Sequence, residues 1–382
     1  MLYITLGDQP SGIYQGQVIN VCQYLNRQHN AGIRIVAFIS VRDFKSNAQK
    51  IKSSFPTAIV LPMAPKLKNW FFNRFTLGLI CLFTGERIAI CRNVLATKVA
   101  LSLKSKGLLK KVCFDGRGAM AAEWEEYKVV EEKELVEAIP DLERDAVLQS
   151  DFRIAVSTKL VHYWQNRYIY QQEQHVVIPC TLSTNFKTDL PDAATIQKNK
   201  LEMGYAPGDI VLIYSGSTAG WQSFTLLHEF LSPLLKSNRN IKVLFLSKED
   251  ENNLALKKEF PEQISIKWVN PDEVNRHLVI ADYGILLREQ SVTNYVASPT
   301  KFAEYLIAGL ALIISPELGD YTQFVFDHKC GIVVSPQNKV IAFHQTLYEE
   351  KVRLNELGKL YFRKDSEFNS KEYERLMNAL KI

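Results

Sequence analysis

Ser298-Pro299-Thr300-Lys301-Phe302-Ala303-Glu304-Tyr305-Leu306-Ile307-Ala308-Gly309 runs straight into the apolar Leu310-Ala311-Leu312-Ile313-Ile314-Ser315. Ser298 is a favourable helix cap, Pro299 suits the first helical position, and Gly309 suits the position just past the end. The stretch predicts a short helix feeding a strand. The same alternation extends outward in both directions. Residues 209–215, 241–247, 265–269 and 283–287 read as strands, and 224–235 reads as a helix. In the first half, residues 2–6, 33–39, 58–61, 88–91, 111–114, 154–157 and 175–180 are strand-like. Residues 95–105 and 159–170 are helical, and a helix opening at Ser11-Gly12 carries Val18, Val21, Cys22 and Leu25 on one side. Strands spaced by helices of this length imply βαβ units and parallel sheets. The polar stretch 182–206 has little apolar periodicity and reads as a linker. The expectation is an α/β protein with two parallel-sheet domains, 1–181 and 207–366. Ligands of such folds bind outside the carboxyl ends of the strands, so the chemistry is sought in the loops there.

The 382-residue length suits two domains. Hydrophobic residues at 47% and charged residues at 23% exclude a largely disordered chain and a polytopic membrane protein. A net charge of +5 is too weak to argue for nucleic acid. Its distribution says more. Between Lys66 and Lys111 there are ten Lys/Arg and one acid, and between Asp115 and Asp145 eleven acids and four bases. This suits either solvated helix faces or a surface that meets anionic lipid or a phosphate-bearing substrate. Residues 70–83 are apolar but hold Arg74 and fall short of the ~20 needed to span a bilayer. They either lie on a membrane surface or pack inside the fold. The six cysteines form no Cys-x-x-Cys pair and the histidines show no metal-ligand spacing, so no metal is expected. With no signal peptide visible, the expected location is cytoplasmic.

The amino end of the helix near Ser298 offers free N–H groups, two hydroxyls and the Lys301 ammonium, a combination that suits a pyrophosphate. Lys301 and Glu304 share a helix face, so Glu304 can accept from ribose hydroxyls. A Lys–Glu pair on a capped surface helix is the other reading. Arg288 follows a strand and reaches phosphates bidentately, unless it merely pairs with Glu289. Asn294 lies in the adjoining loop. Ser215-Gly216-Ser217, with Trp221 beyond, allows close backbone approach to an anion, although it is no P-loop. Lys248 ends another strand. In the first half, Asp115-Gly116-Arg117-Gly118 ends a strand and Glu123 follows. Asp115, Arg117, Glu123 and Arg92 are candidates for sugar hydroxyls or a proton, and an Asp115–Arg117 structural pair fits equally.

With these residues assembled, the chain resembles the GT-B glycosyltransferases, most closely the bacterial family 4 enzymes that build surface polysaccharides. The resemblance rests on residues 298–306 with Ala308-Gly309, on Tyr214-Ser215-Gly216-Ser217 with Trp221, on Asp115-Gly116-Arg117-Gly118 with Glu123, and on Ser11-Gly12. It implies two Rossmann-like domains facing a cleft, with a nucleotide diphosphate-sugar held mainly by the second. Glu304 would hold the ribose, Ser298, Pro299, Thr300 and Lys301 the diphosphate, and backbone near Val269 the base. Residues 367–382 would form a helix returning to the first domain. No cofactor beyond the donor substrate is implied. The acceptor would be a glycan or lipid-linked glycan, with transfer at the inner face of a membrane and retention of anomeric configuration. If transfer inverts, Asp115 or Glu123 is the base. Val296 stands where the family places a sugar-binding glutamate, and Asp115-Gly116-Arg117 stands where it places a loop histidine. A nucleotide-sugar epimerase of the same fold and a non-catalytic nucleotide-sugar-binding subunit are the competing readings.

Overall fold

A computed structural model describes residues 1–63, 67–184, 186–216, 223–270, 272–334 and 342–381. It divides into two units, Met1–Thr184 with Glu367–Ile382, and Asn185–Ser366.

Among the described residues, the first unit has seven parallel strands. They are β1 (Leu2–Leu6), β2 (Arg34–Ile39), β3 (Ile59–Pro62), β4 (Ile88–Arg92), β5 (Lys111–Gly116), β6 (Phe152–Ala155) and β7 (His175–Val177), in the order β3-β2-β1-β4-β5-β6-β7. All five residues of β1 are buried. Strands covered on both faces read as continuous apolar runs, which is why sequence finds them. The helix Glu367–Leu380 places Tyr373, Leu376, Met377 and Leu380 in the same core as Tyr24 and Leu25. Lys111 Nζ donates to the Ala379 carbonyl at 2.9 Å.

A π turn, Gln15–Ile19, interrupts the first helix between Gly12–Tyr14 and Asn20–His29. Gln17 Nε2 donates to the Thr181 carbonyl at 2.7 Å, and Asn20 Oδ1 accepts from Ser183 Oγ at 2.9 Å. The chain segment that leaves the first unit is thereby pinned to its first helix.

The second unit has six parallel strands among the described residues, in the order β10-β9-β8-β11-β12-β13. They are β8 (Ile210–Ser215), β9 (Ile241–Leu246), β10 (Ile264–Lys267), β11 (Tyr283–Leu286), β12 (Ala311–Ile314) and β13 (Gly331–Val333). Sequence reading misses β13, whose three residues are too few to show a period. It also takes 182–206 as linker, whereas Ala193–Glu202 is a helix of the second unit capped by Asp192. That helix buries Ile196 and Lys200, the latter donating to the Asp209 carbonyl at 2.6 Å. A helix held by one aliphatic side chain and one buried lysine shows almost no apolar stripe.

Both sheets reverse strand order beside their first strand, at β1/β4 and at β8/β11. Loops diverge at such a point and leave room for a ligand.

Candidate functional site

In the second unit, the carboxyl ends of β8, β11 and β12 carry Ser215, Arg288 and Ser315. Ser315 Oγ accepts the Arg288 backbone N–H at 2.6 Å. Arg288 Nη1 donates to Asn294 Oδ1 at 3.2 Å, and the buried Asn294 donates in turn to the Glu289 carbonyl at 3.0 Å. Asn294 therefore aims the guanidinium rather than awaiting a ligand itself. Arg288 acts electrostatically on Tyr214 and Tyr305, whose hydroxyl pKa values burial pushes up. The guanidinium thus stands over the reversal point of this sheet.

The helix beside it runs Thr300–Ile307. Its cap is Pro299, not the expected Ser298, and the cap residue makes no side-chain hydrogen bond to the helix. The Ser298 hydroxyl lies 2.7 Å from Tyr321 Oη instead. A tertiary partner engages the hydroxyl, and Phe302 N–H donates to the Pro299 carbonyl at 3.1 Å, which leaves the Thr300 and Lys301 N–H groups as those of the first turn without an intrahelical partner. Lys301 Nζ lies 2.7 Å from Glu304 Oε2, and both side chains are part-exposed. Gly309 ends the helix at φ +74°, where a Cβ would meet the Lys351 backbone oxygen at 2.9 Å. Val296 is fully buried.

In the described part of the expected anion cradle, both backbone N–H groups are engaged. Ser215 N–H donates to Tyr305 Oη at 2.8 Å and Gly216 N–H to the Leu246 carbonyl at 3.4 Å. Ser217 and Trp221 lie outside the described residues, as does Pro271 next to the expected base contact. Val269 is part-exposed just beyond β10. Sequence reading missed its neighbour Trp268, an exposed ring with Lys248 Nζ 5.2 Å from its centroid. An exposed tryptophan at a strand's carboxyl end is the signal that would have found it.

In the first unit the reversal point gathers Asp8, Arg92 and Asn93. Arg92 Nε lies 3.5 Å from Asp8 Oδ1. Asn93 caps the helix Val94–Lys104 from a φ of +71° and donates to the Leu6 carbonyl at 2.9 Å and to Asp8 Oδ2 at 3.2 Å. Asp8 keeps 26% of its side chain open to solvent. Burial raises its pKa, against the opposing pull of Arg92. Asp8 was overlooked by the sequence reading although it lies two positions past the end of β1.

Asp115 is corrected from base to buried anchor. It is fully buried, accepts from Tyr3 Oη, and lies 2.8 Å from Arg117 Nε. Arg117 is committed to that pair. Glu123 is half-buried in the first turn of the helix Met120–Tyr127, and burial with Glu126 nearby raises its pKa. The Met120 N–H of that helix is taken by Glu143 at 2.8 Å, so its amino end is no anion site. Ser11 accepts the Tyr14 N–H at 3.2 Å as a helix cap; Ser11 and Gly12 are exposed, and Ser11 lines a cavity of about 280 Å³ with Tyr14 and Lys50. All six cysteines are free thiols. Among the described residues, no three His, Cys, Asp or Glu side chains gather as a metal-holding group, and no helix is long and apolar enough to cross a membrane.

No protein-family model matches the chain, and no curated protein matches it. Solved structures do. Sucrose-phosphate synthase from Thermosynechococcus elongatus is similar at a TM-score of 0.68 and 14% identity, over 99% of this chain and 97% of that one. WaaG, a glycosyltransferase of lipopolysaccharide biosynthesis, is similar at 0.66 and 14%, over 100% and 99%. HepE from Anabaena, in complex with UDP and glucose, is similar at 0.67 and 12%, over 99% of both chains. These neighbours are GT-B glycosyltransferases, and a likeness at such identity speaks to the fold alone. The chain has that fold: two Rossmann-like α/β domains, each on its own parallel sheet.

Proposed function

We propose that this protein is a glycosyltransferase that moves a sugar from a nucleotide diphosphate-sugar to a glycan or lipid-linked glycan. One observation carries the reading. At the reversal point of the second sheet, an oriented Arg288, an uncapped helix amino end and the Lys301–Glu304 pair stand side by side. Diphosphate departure needs preorganised positive charge, and this arrangement supplies it. Lys301 and the first-turn N–H groups would take the phosphates, with Arg288 over the bridging oxygens. Glu304 would turn from Lys301 to the ribose hydroxyls. The HepE structure, which holds UDP and glucose on the same fold, supports a nucleotide-sugar donor.

In the reaction the anomeric C–O bond to the diphosphate breaks and the acceptor oxygen bonds to that carbon. The acceptor proton passes to the departing phosphate if configuration is retained. In an inverting course, Asp8 is the first-domain carboxylate suited to take it, because burial lifts its pKa and it stays reachable.

A same-fold epimerase is the second reading, favoured by the likeness to a putative UDP-N-acetylglucosamine 2-epimerase from Listeria monocytogenes at a TM-score of 0.54 and 8% identity. The test is a thermal-shift and calorimetry panel of UDP, GDP, ADP and CMP with their common sugars, with and without EDTA, followed by product analysis. Selective stabilisation by one diphosphate, lost in Glu304→Ala, with a new glycoside only when acceptor is present, is the expected result. An epimer formed from donor alone selects the second reading. No nucleotide binding sinks both.

A further inference from the structure

The helix Asn73–Thr84 buries Asn73, Leu77, Gly78 and Cys81 in the first unit. Its other face is bare. Phe75, Leu79, Leu82 and Phe83, with Phe72 just ahead, are each more than half exposed, Phe83 at 87%. At 3.6 residues per turn these five fall within an arc of about 100°. Single apolar residues scattered over a surface are ordinary, but five on one stripe are not.

The stripe ends at a cationic corner. Arg87, Lys106 and Lys110 are exposed there. Arg87 Nη2 donates to the Gly107 carbonyl at 2.5 Å, and Lys110 N–H to the Arg87 carbonyl at 2.7 Å, so the three share one loop cluster. None of them forms an ion pair with a carboxylate among the described residues. The nearest acid in sequence, Glu86, is held by the terminal ammonium of Met1 at 2.7 Å. Asp151, which accepts the Val112 N–H at 2.8 Å, is held by Lys104 at 2.6 Å. At the opposite end of the stripe Lys68 is offset by Glu134 at 3.5 Å.

We propose that this face docks the protein on a bilayer rich in anionic phospholipid. The helix lies in the plane of the interface, with Phe72, Phe75, Leu79, Leu82 and Phe83 among the acyl chains. Arg87, Lys106 and Lys110 meet the headgroup phosphates. Charge complementarity selects this occupant over a second copy of the chain. A two-fold contact lays a patch against itself, and would press three unpaired cations toward three more. The inference does not depend on the proposed reaction.

The test is co-sedimentation of the full chain with vesicles of phosphatidylglycerol and phosphatidylethanolamine, and with vesicles of phosphatidylcholine alone. The anionic vesicles should bind it at least about tenfold more tightly, and about 0.5 M salt should weaken that binding. Leu82→Ser with Phe83→Ser, and Lys106→Glu with Lys110→Glu, should each lower it about tenfold or more. All these side chains are exposed, so melting temperature should stay at the wild-type value. No binding to anionic vesicles, or unchanged binding in both double variants, overturns the proposal. So does light scattering that shows a dimer dissolved by the Leu82/Phe83 pair.

Discussion

The Tyr305 hydroxyl receives the Ser215 backbone N–H at 2.8 Å. It lies 3.4 Å from the Ile285 carbonyl as well, so one side chain ties the ends of β8 and β11 beneath the candidate site. The ring fills the space over Gly284, where a Cβ would come within 2.3 Å of it. Tyr305→Phe leaves a buried N–H without its acceptor, at a cost of about 1–3 kcal/mol. It should lower the melting temperature and weaken nucleotide affinity by roughly tenfold through the shifted β8 loop. Gly284→Ala should destabilise more and bind no better. Wild-type nucleotide affinity by calorimetry in Tyr305→Phe would separate this bridge from the site.

Lys301 and Glu304 should part company kinetically. In the proposed reaction Lys301 would face charge that grows as the diphosphate leaves, so Lys301→Ala should reduce kcat by about 100-fold or more with little change in KM. Glu304, on the proposed ribose hydroxyls, would meet the donor equally in ground and transition states. Glu304→Ala should therefore raise the donor Kd by about 10- to 100-fold, the worth of hydrogen bonds to a charged group. Steady-state kinetics on both variants checks the split. Equal effects on both constants in both variants would count against the assignment.

Asp115 and Asp8 should behave as opposites. Asp115→Ala strands the Arg117 guanidinium and the Tyr3 hydroxyl inside the first domain, a loss of about 3–5 kcal/mol. Poor folding, not a clean kinetic defect, is the expected result. Asp8→Asn should fold normally and keep donor affinity. If transfer inverts, wild-type kcat/KM should rise with pH through a limb lying above the ordinary carboxylate range, because Asp8 acts only when ionised. That limb should vanish in Asp8→Asn.

Lys351 carries a stability prediction. It donates to the Ala281 carbonyl from a buried position, and burial, with Lys200 adding repulsion, lowers its pKa from 10.5 to about 8. Between those values the unfolded chain holds a proton that the folded chain has released. Stability of the second domain should therefore climb as pH rises from 8 toward 10.5, by an amount of order 3 kcal/mol. Below pH 8 that gain is absent. Denaturation across this window should show the climb in wild type and a flatter profile in Lys351→Met.

The central strands were legible because they are buried on both faces and read as unbroken apolar runs, whereas the three-residue edge strand β13 was not. The helix after Ser298 was legible from its punctuation, Pro299 and Gly309. What escaped depends on partners distant in sequence. Tyr321 takes the Ser298 hydroxyl from 23 positions away, and Tyr3 and Arg117 take Asp115 from both sides. A local pattern cannot reveal that a polar group is already spoken for. Asp8 escaped for the reverse reason. Its setting comes from Arg92 and Asn93 across the sheet, while its own neighbourhood, Gly7 to Pro10, looks like any turn.

The return of Glu367–Leu380 to the first core sets an order of assembly. Tyr373, Leu376, Met377 and Leu380 follow the whole of the second unit in the chain, yet they complete the core around Tyr24 and Leu25. During synthesis on the ribosome, the second unit is continuous and can close as soon as it emerges. The first must wait with one apolar flank uncovered until the final helix arrives. The half of the protein made first is therefore the half finished last, and it is the half that a chaperone would have to shelter.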